Sequence, residues 1–120
     1  MIISETVLDV MDNSGGLLAK CFRIFGKKEG TIGSLLMVSI QSFRSGRKVK
    51  KGEVYKAIVI RTKVFFNRDT GTYFKFENNG LILWKRKEDG PVGTRLNSII
   101  PLELRFKGFS KLILISEGSF

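Results

Sequence analysis

R-S-G-R-K-V-K-K-G-E-V-Y-K-A-I-V-I-R-T-K, from Arg44 to Lys63, holds eight Lys or Arg residues and one acid, Glu53. Its cations fall in two arrangements. Arg44, Arg47, Lys48, Lys50 and Lys51 gather around Gly46 and Gly52, which reads as an exposed loop. Past Gly52 the chain becomes a β-branched run from Val54 to Val64, which reads as a strand. Residues two apart share a strand face, so Ile58, Ile60 and Val64 lie opposite Val59, Arg61 and Lys63. The isoleucine face is expected to line the inside of a barrel. A cationic loop feeding a strand that ends in two more cations suits phosphate backbones, where affinity comes mainly from counterion release. A merely solvated charged loop is the plain alternative.

Outward from this stretch the chain is a succession of short β-like runs punctuated by glycine. They are Ile3 to Val10, Leu17 to Phe25, Leu35 to Phe43, Val54 to Phe66, Thr72 to Phe76 and Leu81 to Trp84. Regular turn signals between short strands argue for a small barrel or sandwich. Asn67 to Gly71 separates two aromatic-rich pieces and signals a hairpin. Phe65, Phe66, Tyr73, Phe74 and Phe76 are expected as cross-strand partners more than as base-stacking platforms. Asp12-Asn13-Ser14-Gly15-Gly16 reads as a turn, because Asx side chains bond nearby backbone and glycines allow positive φ. A phosphate cradle there would need a following lysine and a helix start, which are missing. Leu112 to Ile115 reads as a strand by propensity.

The 120 residues form one expected domain, 42% hydrophobic, with a net charge of +10. The isoelectric point is near 10.1 and the mean hydropathy +0.02, values of a globular chain with a polyanionic partner. No apolar run approaches the roughly 20 residues of a membrane span, and no basic amphipathic helix suggests a lipid surface. Nucleic acid is the favoured partner, with Lys85, Arg86 and Lys87 beside Trp84 as a second basic patch. Burial of Trp84 is favoured over stacking on a base.

Catalysis has little to work with. Histidine is absent, and the single cysteine, Cys21, sits in an apolar run as a small hydrophobe. The acid pair Glu88-Asp89 lies among cations, without the apolar setting that raises a carboxyl pKa. No cluster has metal-ligand spacing. The expectation is no enzyme, no cofactor and no metal site.

K-V-K-K-G-E-V-Y-K-A-I-V-I-R-T-K, Lys48 to Lys63, resembles the best-known stretch of the universal large-subunit ribosomal protein L-fourteen family. M-D-N-S-G-G at 11–16, P-V-G-T-R at 91–95 and E-L-R at 103–105 agree in order and spacing, so the resemblance covers essentially the whole chain. Bacterial and organellar members look closest. The resemblance implies a closed five-stranded β-barrel with a projecting hairpin and short helices around Leu102 to Arg105 and Phe109 to Ile115. It implies a structural component of the large subunit that binds rRNA and contributes to a bridge with the small subunit. Neighbouring proteins of the L-three and L-nineteen type are implied partners, and the exposed face can receive the ribosome silencing factor. Carried over by motif, Thr94, Arg95 and Lys111 belong to that subunit-facing surface.

The sequence departs from the family pattern in places. Thr70 stands where Asp or Asn usually precedes the hairpin glycine, and 26–34 is shorter and less basic than in bacterial relatives. Ser98-Ile99 replaces the usual glycine-proline, with Pro101 displaced.

The first cation is Lys20, which speaks against a transit peptide, and no signal peptide is read. Only two alanines, with abundant Phe, Ile and Lys, suggest an AT-rich genome. Together these favour a mitochondrial, organelle-encoded origin, with plastid or bacterial cytoplasm as alternatives. The competing function is a free single-stranded nucleic-acid-binding small barrel. Such a protein would place aromatics among its cations. The loop Arg44 to Lys51 contains none, which favours the ribosomal reading.

Overall fold

Five strands close into a barrel: β1 Val7–Val10, β2 Gly16–Ile24, β3 Leu35–Phe43, β4 Val54–Arg61 and, after the short hairpin of β5 Phe66–Asn67 and β6 Tyr73–Phe74, β7 Gly80–Trp84. The structure, a computed structural model, describes residues 2–26, 28–46, 49–68, 70–85, 90–96, 98–106, 109–116 and 118–119. Neighbouring strands run antiparallel except at the seam, where β1 and β7 pair in parallel through Asp9↔Gly80 and Val10↔Leu81. Closure removes the free edges that an open sheet would expose. The C-terminal part adds β8 Ile99–Ile100, helices α1 Glu103–Phe106 and α2 Ser110–Ile115, and β9 Gly118–Ser119, parallel to β8.

The order of apolar side chains along β4 explains both of the protein's cores. Ala57 and Val59 point into the barrel with Leu8, Cys21, Leu36, Val38, Leu81 and Leu83. Ile58 and Ile60 point outward, where Ile82, Trp84, Leu96, Ile100, Leu104 and Leu112 bury them. The register Ile58↔Ile82, one step from Ala57↔Leu83, makes the same division on β7. This corrects the expected face assignment. The isoleucines hold the C-terminal helices against the outside of the barrel, and the smaller Ala57 and Val59 fill its lumen. A strand buried on both faces reads as continuous apolar sequence, and alternation alone does not say which side is inside.

Strand ends also differ from the sequence reading. The first expected strand shortens to β1, because Glu5 takes a φ of 72° and turns the chain at residues 4–5. The long run from Val54 stops at Arg61. A register shift falls between Val59 and Arg61, and the Lys63 amide donates to Asn79 Oδ1 instead of to a strand. Lys63 therefore lies beyond the strand.

The hairpin folds back on the body. Phe66 pairs with Phe74 across its ladder, ring centroids 5.4 Å apart, and both pack with Phe76 on the outer core. Arg68 Nε lies 2.7 Å from Glu103 Oε1, tying the hairpin to α1. The segment Leu112 to Ile115 is helical, against its strand propensity. Leu112 and half-buried Ile115 enter the outer core while Leu114 is 85% exposed, a helical spacing set by tertiary burial.

Candidate nucleic-acid interface

The strand directions gather three loops at one end of the barrel. β1 ends there, β2 begins, β3 ends and β4 begins, as Gly16↔Phe43 and Ser39↔Val54 require. β7 ends there too, because Lys56 pairs with Trp84. The described residues of segments 11–15, 44–53 and 85–95 therefore share this end. Arg44 is exposed, and its backbone N–H donates to the Gly15 carbonyl at 2.8 Å, joining the cationic loop to the Asp12–Gly16 turn. Lys50, Lys51 and Lys85 are exposed at the same end.

The cationic loop is a shaped piece of backbone. Gly46 and Gly52 take φ values of 79° and 84°, a left-handed region that other residues enter at a cost. Val49 is fully buried and plugs the barrel end. Glu53, the lone acid, accepts from the Lys50 amide at 2.9 Å and from the Tyr55 hydroxyl at 2.7 Å. Burial, with the neighbouring Glu53 carboxylate second, pushes the Tyr55 phenol up to about 12. The acid thus folds the loop, and Lys50 and Lys51 are left facing solvent on a fixed backbone.

A second junction forms from the D-N-S-G-G and V-G-T-R motifs. Asn13 Oδ1 accepts from the amides of Thr94 at 2.8 Å and Arg95 at 3.2 Å, while its Nδ2 donates to Thr94 Oγ1 at 2.9 Å. The Asn13 amide donates in turn to the Arg95 carbonyl. Buried Asp12 accepts from the Ser14 amide and hydroxyl through one oxygen, and from the Leu83 amide through the other. Its carboxyl is pushed above the ordinary value by burial, against those hydrogen bonds. A Cβ on Gly93 would stand 2.9 Å from Asn13 Oδ1 and 3.0 Å from Asp12 Cβ, so close approach requires glycine here. Thr94 and Arg95 are exposed. Leu96 donates to the Ile115 carbonyl, which brings the end of α2 beside this junction, with exposed Lys111 one helical turn earlier.

Not every expected residue joins this end. Arg61 ends β4, about 23 Å from Val54 at 3.3 Å per residue, and Lys63 lies just beyond it. Arg61 is half-buried, its guanidinium carbon 4.8 Å from the Phe76 ring centre, and its buried Nε has no hydrogen-bond partner among the described residues. The strand therefore separates the two cation groups that the sequence reading had joined. Trp84 is 3% exposed and packs edge-on against Phe109, as favoured from sequence. Arg47, Lys48, Arg86 and Lys87 lie outside the described residues.

A pocket of about 130 Å³, lined by Asp12, Asn13, Gly15, Gly16, Leu17 and Arg44 among others, lies between the turn and the cationic loop. Asn13 is the residue that sequence reading missed, since an Asx turn shows its local bonds and hides a partner eighty-one positions away. The arrangement offers cations and backbone donors on a rigid frame, suited to phosphate and sugar contacts. Over residues 1–119 the chain matches the family model described as ribosomal protein L14p/L23e.

The chain belongs to this ribosomal protein family. It is accordingly a structural constituent of the large ribosomal subunit that binds rRNA and neighbouring ribosomal proteins. Proteins of this family are structural and non-enzymatic in kind, and their place is the ribosome. The closed barrel, with motifs from its two halves latched at one end, is the frame on which that binding is built.

Proposed function

We propose that the loop end of the barrel is the rRNA grip, and that Arg44, Lys50, Lys51 and Lys85 contact phosphate and sugar there. Arg47, Lys48, Arg86 and Lys87 belong to the same grip by their place in the sequence. The observation that carries this reading is the convergence of 44–53 and 85–95 at one barrel end. Arg61 and Lys63 make a separate contact from the opposite end. Thr94, Arg95 and Lys111 form the surface turned to the small subunit and contribute to an intersubunit bridge. The ribosome silencing factor would dock on this surface, and L-three- and L-nineteen-type proteins would be neighbours. The residue bias favours a mitochondrial ribosome over a plastid or bacterial one.

The test is the salt dependence of binding to a large-subunit rRNA fragment. Arg44→Ala, Lys50→Ala and Lys51→Ala together should lower the slope of log K against log salt by up to about 2.7, at roughly 0.9 per phosphate contact on duplex-like backbone. The urea midpoint should hardly move, since none of the three fills the core. An unchanged slope would sink this assignment of the grip.

A further inference from the structure

The hairpin carries two faces of opposite character, divided by the period of two along each strand. Phe66, Phe74 and Arg68 turn inward, and Arg68 stacks over Phe74 and reaches Glu103. The alternate positions, Phe65 and Tyr73, turn outward at 61% and 67% exposure. They lie edge to face with centroids 6.0 Å apart. Lys75 Nζ sits 5.0 Å from the Phe65 ring centre. Lys63, two residues before Phe65, is exposed as well.

We propose that this outward hairpin face stacks on an unpaired nucleobase of the RNA, with Tyr73 as the platform, Phe65 as its buttress and Lys63 and Lys75 beside them for the adjoining phosphates. The inference rests on the family's rRNA binding and adds a contact remote from the loop end of the barrel. Three observations favour a base over a protein partner. The edge-to-face pair is already held in place, so stacking orders little that was free. The patch is two rings on a two-residue ladder, far below the roughly 800 Å² per partner of a stable protein interface. Its charge is also right for a polyanion: among the described residues two exposed lysines flank it, against one exposed acid, Glu77, further toward β7. A π-face with cations at its rim binds single-stranded nucleic acid without regard to base identity.

Ultraviolet irradiation of large subunits containing this chain tests the contact directly. Trypsin cuts after Lys63, Arg68 and Lys75, isolating peptides 64–68 and 69–75. A nucleotide adduct on Tyr73 or Phe65 supports the inference. Adducts confined to other peptides, or a protein cross-link at 64–75 instead, overturn it and leave rRNA binding intact. In parallel, the full chain is titrated with labelled oligouridine. Tyr73→Leu should weaken binding about tenfold with an unchanged salt slope, and Tyr73→Phe should retain it. Equal binding by Tyr73→Leu, or no oligouridine binding by a chain that still holds an rRNA fragment, overturns the inference. Failure to hold either RNA would count against both this contact and the proposed grip.

Discussion

Asn13 and Thr94 exchange side-chain and backbone hydrogen bonds across eighty-one positions, at 2.9 and 2.8 Å, and so fasten the first barrel turn to the segment that carries Arg95. Each partner comes from a different sequence motif, and neither motif's local turn chemistry requires the other. The latch fixes the direction from which Thr94 and Arg95 leave the barrel. It also places them beside the pocket that Arg44 and Asn13 share.

Breaking the latch should loosen 93–95 without unfolding the barrel. Asn13→Ala removes exposed bonds and should cost about 1 kcal/mol, with faster amide exchange at Thr94 and Arg95. Gly93→Ala forces a Cβ against Asn13 and Asp12 and should cost about 1–3 kcal/mol. The double variant should cost less than the sum, because the first change removes the oxygen that the second one meets. Strict additivity in urea unfolding would mean that the two residues do not act on one another.

The two faces of β4 should respond differently to truncation. Ile60→Ala opens the outer core and should cost about 2–5 kcal/mol, with amides of α2 losing protection first. Val59→Ala removes volume from the lumen and should loosen β1, β3 and β7 together, leaving α2 no weaker than the rest. Native-state hydrogen exchange distinguishes the two patterns. Early loss at α2 in Val59→Ala would reverse the assignment.

The legible parts of this fold are those encoded locally. The strand runs, the hairpin glycine and the loop glycines before Val54 all mark themselves by residue type, because turn chemistry and β-branching act within a few residues. Which face of β4 is inside was not legible, since Ile58 and Val59 are equally apolar and the decision belongs to the helices that arrive forty residues later. The same holds for the site. The cations of 44–51 announce themselves, whereas their distance from Arg61 depends on where β4 ends. That end is set by a bulge and by Asn79, which no periodicity in Val54 to Val64 signals. Helix α2 shows the converse, a run of strand-forming residues whose shape is decided by the burial of Leu112.

Tyr55 provides a pH probe of the cationic loop. Its phenol ionises near 10.0 in an unfolded chain and at about 12 in the fold, so the neutral form is favoured in the native state. Its contribution to stability is fully present below pH 10 and is lost as the pH rises from there through about 12. Ultraviolet titration should show one phenol ionising near pH 12, and Tyr55→Phe should abolish that step. The substitution also removes the hydroxyl from Glu53, which keeps its bond to the Lys50 amide. A Tyr55 step near the ordinary phenol value would show that the burial of this phenol beside Glu53 is not maintained in solution.

The proposed subunit-facing role of Arg95 and Lys111 is tested by Arg95→Ala together with Lys111→Ala. Both side chains are exposed, and neither fills the barrel or the outer core. The bond from Leu96 to Ile115 uses backbone atoms, so the double variant keeps the frame that brings α2 next to the 93–96 segment. Entry into large subunits should continue, because Arg44, Lys50 and Lys51 are untouched. Joining to small subunits, or binding of the silencing factor, should weaken by about 1–3 kcal/mol if both charges make hydrogen-bonded contacts. The measurement is the ratio of free subunits to joined ribosomes on a gradient, with a pull-down on the silencing factor. The charge contacts belong at the rim, so the defect should grow as salt is lowered and shrink as it is raised. Normal joining and normal factor binding in the double variant would remove Arg95 and Lys111 from that face.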